Sequence, residues 1–373
     1  MAKKKYTVKN LASERDGHNN KACYLINYSH NVDNEWFDKK ERNDNIFIKI
    51  ATSFSGIGSP EYALKRLNIK HEILFAGDID DFCKQTYFAN YCISEDSWHN
   101  DIRKFDASQY KESVDLFIGG SPCQSFSIGG KRKGFEEARG TLFYEYARLV
   151  KECKPQVFIY ENVTGLMNHD HGHTWEVVKE TFNELNYCWV PWVLNSKDFG
   201  IPQNRKRVYV VGFRKDLKKF FQQLKEPQPS TLIYGVDDLL EEHVANKYYL
   251  PQKGFERVID PKHARHVALN GAIARTQIAN QQFNWYGDIR IEYKIGKEIE
   301  DDDRIYKGFF HGERCVARCL TPRECLRLMG FDDNFKIVVN DQQQYKQCGN
   351  SIVVNVMMEI MKAIINTGVF YEK

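Results

Sequence analysis

Short runs of apolar residues alternate along this chain with stretches of helical spacing, and the order of the two predicts the architecture. Ile46-Phe47-Ile48-Lys49-Ile50-Ala51 is a short, nearly continuous apolar run, the pattern of a buried strand. It leads into Phe54-Ser55-Gly56-Ile57-Gly58, where glycines predict a tight turn, and Ser59-Pro60 follow as N-cap and first residue of a helix carrying Tyr62, Ala63, Leu64 and Leu67. Further strands are predicted at Glu72 to Ala76, Val114 to Ile118, Val157 to Tyr160 and Val208 to Val211, with helices at Leu142 to Lys151 and Thr174 to Asn186. Strands alternating with helices imply a parallel α/β sheet that receives ligands at the carboxyl ends of its strands. The pattern breaks near residue 215. From 216 to 320 short β-like pieces mix with prolines, tyrosines and amides, and helix returns at Pro322 to Met329 and Ile352 to Ile365. The parse is an extension over 1–45, a large α/β domain over 46–215, an inserted smaller domain over 216–320, a hinge over 321–343, and a C-terminal helix over 344–373 that returns to the first domain. A small helical DNA-binding module is the other reading of 1–45. No internal repeat is visible.

Composition narrows the class. The 373 residues suffice for two domains, and 42% hydrophobic with 28% charged residues describes a globular chain. No apolar run approaches the roughly 18 residues of a membrane span, and the lysine-rich Met1 to Asn10 lacks the apolar core of a signal peptide. The expectation is a cytoplasmic protein with no membrane partner. A formal charge of +3 permits a nucleic-acid partner without demanding one. Ten cysteines without a CxxC pair read as reduced thiols. Neither Cys315/Cys319 nor His169/His171/His173 has a full ligand set at zinc spacing, so no metal is expected.

The candidate chemistry collects at the strand ends. The glycine turn, Phe54 to Gly58, lets bare backbone approach a ligand and offers free N–H groups, although it lacks the full dinucleotide fingerprint and a turn serving packing alone is the competing reading. Asp78 follows the second strand, where a carboxylate accepts hydrogen bonds from ribose hydroxyls, and Asp101-Ile102 lies where an adenine amino group is held. Together they point to a nucleoside-containing cofactor. In Gly119-Gly120-Ser121-Pro122-Cys123-Gln124, the cysteine sits just past a buried strand and between polar or stiff neighbours, which favours a nucleophile over a buried structural thiol. Gly129 to Phe135, with Lys131, Arg132 and Lys133, reads as a basic loop able to close over phosphates. Glu161 ends the strand Val157 to Tyr160 on the same sheet edge, where partial burial lets it hold a proton at neutral pH; a hydrogen-bonded strand terminus is the plainer alternative. Arg205 and Arg207 share one face of an extended stretch and both point to the cleft.

Phe-x-Gly-x-Gly, Gly-x-Pro-Cys-Gln, Glu-Asn-Val, Gln-x-Arg-x-Arg and Gly-Asn-Ser, in this order, resemble the motif series of the DNA (cytosine-5)-methyltransferases of bacterial restriction-modification type. The resemblance covers roughly 46–214 and 316–365, and the ordered set is far more specific than any one motif. It implies a Rossmann-like, S-adenosylmethionine-dependent methyltransferase sheet with an inserted target-recognition domain. Phe54, Gly56, Ile57, Gly58, Asp78, Ile79, Asp101, Ile102, Pro122, Leu142, Asn350 and Ser351 are then implied to hold the cofactor. Cys123 attacks C6 of a cytosine flipped out of double-stranded DNA, Glu161 engages N3 and the amine, Arg207 binds O2 and Arg205 braces the site. Gln124, Ser127, Lys131, Arg132, Lys133, Gln281, Gln282 and Arg290 fall where DNA contacts are expected, within a wider amide-rich stretch, Gln277 to Tyr286, suited to reading base edges. A monomer with a cognate restriction endonuclease is the expected setting. Two departures stand out: the leading extension, and Asp78 in place of the commoner glutamate. The alternatives are a relative acting on RNA, a Rossmann-type oxidoreductase that would leave Cys123 and Glu161 idle, and a catalytically silent DNA-binding protein.

Overall fold

The computed structural model describes residues 46–122, 142–281 and 285–371. Its centre is a seven-stranded sheet in the order β3-β2-β1-β4-β5-β7-β6, formed by β1 (Phe47–Ser53), β2 (Lys70–Gly77), β3 (Trp98–His99), β4 (Leu116–Gly119), β5 (Val157–Val163), β6 (Tyr187–Asn195) and β7 (Lys206–Arg214). Neighbours from β3 to β5 are parallel, whereas β7 runs antiparallel to both β5 and β6. The all-parallel expectation therefore fails at one edge. β6 and β7 are consecutive strands that pair antiparallel with each other, joined through a single 3-10 turn, Ser196–Phe199, in place of a crossover α-helix. The sequence pattern missed β6 because Pro191 sits inside it, opposite Val210; proline is tolerated there because β6 is an edge strand.

Period-2 alternation explains the two cores. Ile48, Ile50, Leu116, Ile118, Val157, Ile159 and Val211 bury one face of the sheet under α1 (Ser59–Arg66) and α8 (Val354–Ile365). Phe117, Phe158, Tyr160, Val208 and Val210 bury the other under α3 (Leu142–Cys153) and α4 (His173–Glu184). Between α1 and α3 the chain also forms α2 (Asp81–Asn90), capped by Asp80, whose side chain accepts from the Phe82 N–H. At α1 the cap is Gly58 rather than Ser59: its left-handed backbone (φ 78°) ends the glycine turn one residue earlier, and Ser59 opens the helix.

A second, four-stranded sheet, β10-β11-β9-β8, is built from β8 (Val267–Leu269), β9 (Gly287–Glu292), β10 (Gly308–Phe310) and β11 (Glu313–Cys319). Its own small core gathers Ile289, Ile291, Cys315 and Ala317 with α5 (Gln252–Ile259). From β11 the chain enters α6 (Pro322–Arg327), then α7 (Asp341–Asn350) and α8. Asp341–Ile365 is long and apolar enough to cross a membrane by length and composition alone, a run the sequence reading did not recognise. Here it is two helices broken at Ser351–Val353, and the apolar side of α8 packs on α1.

Candidate active site at the carboxyl edge of the large sheet

The ends of β1 and β4 and the α7–α8 turn meet in one cleft. Phe54 and Gly56 of the first turn, Gly119 and Gly120 at the end of β4, and Asn350 and Ser351 face the same space. The turn after β1 runs through positive φ at Phe54, Gly56 and Gly58 (54°, 55° and 78°). At Gly56 an added Cβ would meet nothing within 4 Å, so bare backbone opens to the cleft; at Gly58 it would strike the Tyr91 ring at 2.2 Å. Asp78, just beyond β2, fastens the turn: its carboxylate accepts the Gly56 N–H at 2.9 Å and the Asp80 N–H at 3.0 Å. Burial pushes its pKa above the ordinary value. Ile79 beside it is 74% exposed, an apolar platform next to that carboxylate.

Other expected cofactor residues stand differently. Ile57 is buried in the core, and its carbonyl accepts the Tyr91 hydroxyl, so it supports the turn from behind rather than lining the cleft. Ile102 is likewise buried, with its carbonyl taken by Arg148. The Asp101 carboxylate is held by both the Nε and Nη2 of Arg103, which draw its pKa down to about 2. Leu142 opens α3 and packs on the second core, and Pro122 lies exposed at the end of the described β4 loop.

The chemistry-bearing pair comes from adjacent strands. Glu161 on β5 and Arg207 on β7 are diagonal neighbours, since Val163 is opposite Arg207 and Glu161 opposite Tyr209. Arg207 Nε lies 3.2 Å from Glu161 Oε1, each side chain being only 14% exposed. Burial raises the Glu161 pKa, and Arg207 and then Arg205 pull against it. A carboxyl with a raised pKa favours its protonated form more than an ordinary glutamate does, which suits it to giving a proton. Gly120 passes so close that a Cβ there would sit 2.9 Å from Glu161 Oε2 and 2.8 Å from the Glu161 carbonyl oxygen. The residues that follow are tied down by Asn162, whose Nδ2 donates to the Ser121 carbonyl at 3.0 Å and to the Tyr160 hydroxyl at 2.8 Å. Ser121 Oγ and Tyr160 Oη are 2.7 Å apart. These positioning contacts join residues about forty apart in the chain, which no local pattern signals.

Arg205 lies within electrostatic reach of both Glu161 and Arg207, but its guanidinium is spent on backbone. It precedes β7, is buried, and donates to the carbonyls of Gln277 (2.9 Å), Gly349 (3.0 Å) and Ser351 (2.8 Å). Burial draws its pKa down to about 10. Gln203, the first residue of the Gln-x-Arg-x-Arg motif and given no role from sequence, completes the junction: its Oε1 accepts the Gln277 N–H and its Nε2 donates to the Leu328 carbonyl. Arg290 is also corrected. It lies buried on β9, bound to Asp237 and to the Gly271 carbonyl, so its guanidinium is not available to a guanine edge. Gln277 is buried as well, which removes it from the set of base readers, whereas Gln281 is half-buried with its amide on Cys325 Sγ. Cys123, Gln124, Ser127, Lys131, Arg132, Lys133 and Gln282 lie outside the described residues.

The family model of the C-5 cytosine-specific DNA methylases matches residues 48–366, which takes in both sheets and the cleft. The chain belongs to that family. The methylase is 36% identical over 329 residues to the Type II methyltransferase M.SsoII of Shigella sonnei, covering 87% of this chain and 82% of that protein. It is 31% identical to the orphan methyltransferase M.SPRI of Bacillus phage SPR, over 86% of this chain and 98% of the phage protein. Its fold superposes with a TM-score of 0.65 on a DNMT2 variant of Spodoptera frugiperda at 22% identity, over 85% of this chain and 99% of the other. The methylase is a DNA cytosine-5 methyltransferase with S-adenosylmethionine as methyl donor. The residues beside the cleft are of the kind that donor needs: Gly56 leaves its backbone open, and the Asp78 carboxylate, bonded to the Gly56 N–H, is followed by the exposed apolar side chain of Ile79.

Proposed function

We propose that the methylase modifies C5 of a cytosine flipped out of a specific double-stranded DNA sequence, through a covalent bond from Cys123 to C6. The observation that carries this reading is the Glu161–Arg207 pair standing over Gly120, with Cys123 the next residue after the described loop. Glu161, whose burial favours the protonated carboxyl, engages N3 and the exocyclic amine, and Arg207 takes O2. Both contacts draw electrons from the ring and make C6 electrophilic, so that the Cys123 thiolate adds there. S-adenosylmethionine, when bound, supplies an activated methyl group to the C5 carbon that this addition makes nucleophilic. Loss of the C5 proton and β-elimination then free Cys123. Gly119 and Gly120 line the cleft beside Glu161, and Asn162 holds the loop that leads to Cys123.

Incubation with duplex DNA carrying 5-fluorocytosine tests the scheme, because fluorine blocks the final elimination. An SDS-stable adduct is expected with the parent protein and none with Cys123→Ala. An adduct that survives Cys123→Ala, or one formed on RNA but not on DNA, would overturn the reading. We further propose a monomeric modification enzyme acting in the cytoplasm on the recognition site of a partner endonuclease. Bisulfite sequencing of DNA from cells expressing it gives the site, and cleavage of unmethylated host DNA by a neighbouring gene product decides between a paired and an orphan enzyme.

A further inference from the structure

Cations converge on one exposed side of the small sheet. Arg257, in the last turn of α5, stands over the Tyr286 ring at 5.6 Å, and His266 stacks on the same ring at 4.9 Å and 27°. Arg265 Nε donates to His266 Nε2 at 2.9 Å, which leaves the imidazole proton on Nδ1. Arg275 Nη2 in turn donates to the Arg265 carbonyl at 2.5 Å. Arg265, Arg275 and Lys262 are exposed. The acids bonded to these segments are Asp260, whose Oδ1 accepts the Lys262 N–H, and Asp288, whose carboxylate accepts the Arg275 N–H and offsets part of the Arg275 charge. Partial desolvation and then Arg265, Arg275, His263 and Arg257 hold the His266 pKa below its usual value. Like charges gathered this way repel one another, and a polyanion relieves the repulsion.

The cluster also points somewhere. Arg275 is flanked by Ala274, whose carbonyl accepts the Asn204 N–H, and by Thr276, whose hydroxyl donates to the Asn204 carbonyl. The basic side thus runs from α5 to Asn204, whose neighbour Arg205 donates to the carbonyl of Ser351 in the cleft lining.

We propose that Arg257, Lys262, Arg265 and Arg275 form a phosphate-binding track that seats the sugar–phosphate backbone of duplex DNA beside the target base. The inference rests on the DNA reading above and adds a contact surface to it. Guanidinium forks match phosphate oxygens, and each neutralised phosphate releases condensed counterions.

The test is DNA affinity against salt, from about 50 to 300 mM, for cognate and unrelated duplexes, using R265Q/R275Q and R265K/R275K in the full chain. For the glutamine pair the slope of log affinity on log salt is expected to shrink by about 2, at about 0.9 per phosphate. Affinity for both duplexes should fall by one common factor, and the lysine pair should restore most of it, since a phosphate accepts a point charge. An unchanged slope overturns the track. A loss confined to the cognate duplex without lysine rescue also overturns it and assigns base reading instead. Adduct formation on 5-fluorocytosine DNA at saturating concentration should survive in both variants; its absence in the parent protein indicts the catalytic reading and not the track.

Discussion

At the scale of single residues the site depends on spacing finer than a methyl group. Gly120→Ala must displace either the Glu161 carbonyl or its carboxylate, since both lie under 3.0 Å from the added Cβ. A shift near 1 Å at a reacting group costs on the order of 100-fold. Single-turnover methylation should slow by about that factor while S-adenosylmethionine affinity, measured by calorimetry, changes little; a rate within threefold of the parent would remove Gly120 from the argument. Glu161→Gln belongs to the same scale. The raised pKa of Glu161 keeps its proton at higher pH than an ordinary glutamate, and ionisation removes it as pH rises through that value. The parent rate should therefore descend on the alkaline side, and the glutamine variant should be slower and lack that descent. Glu161 and the glycine turn were legible in the sequence because each follows an apolar run at a sheet edge, and Arg207 because it opens one. Arg290 and Ile57 were misread because burial is decided by what packs against a residue, and Asn162 was missed because its partner Ser121 lies in another strand's loop.

Elements are joined by two buried charged networks. Arg318 on β11, 1% exposed, gives both Nη atoms to Glu324 at 2.9 and 3.0 Å and its Nε to Glu292 at 2.5 Å. Glu324 also closes the capping box of α6 with Thr321 and accepts the Glu241 N–H. Removing one partner of such a pair leaves a charge buried alone, at a cost of about 3–5 kcal/mol. Urea unfolding should show R318M destabilised by that amount and R318M/E324Q by less than the sum of the two single variants. Near the cofactor turn, Glu61 of α1 accepts from Thr52 Oγ1 and Tyr87 Oη, both at 2.7 Å, and burial raises its pKa. The sign follows from linkage: its contribution to stability is full below pH 4.5 and is lost as pH rises through the folded value. The parent protein should lose melting temperature relative to Glu61→Gln over that window, and parallel curves would show that Glu61 does not titrate there. Strand and helix positions on both faces were legible from period-2 and helical spacing. β6 escaped because Pro191 contradicts the strand pattern except at an edge, and α2 because its apolar face is weak even though its Asp80 cap was in plain view.

For the whole molecule, the order of motifs along the chain announced which segments serve one chemistry, but not what holds them against each other. Arg205 and Gln203 are that link. Two neighbouring side chains bind the small-sheet loop at Gln277, the α6 end at Leu328 and the cleft wall at Gly349 and Ser351. Gly349 is pressed into the same junction, since a Cβ there would lie 2.3 Å from the Ala279 nitrogen. Arg205→Met would leave three carbonyls without their guanidinium donor, each costing about 1–3 kcal/mol where no other donor reaches it. The consequence reaches both ligands at once, because Ser351 lines the cleft and Gln277 anchors the loop that leads to the basic side of the small sheet. Affinity for S-adenosylmethionine and affinity for duplex DNA should therefore weaken together in Arg205→Met, each by tenfold or more, with a lower melting temperature. Arg205→Lys, which keeps the charge but cannot span three carbonyls, should recover only part of each. An arginine acting solely on the target base would instead slow the chemical step and leave cofactor binding untouched, so equilibrium binding of the cofactor in the absence of DNA separates the two roles.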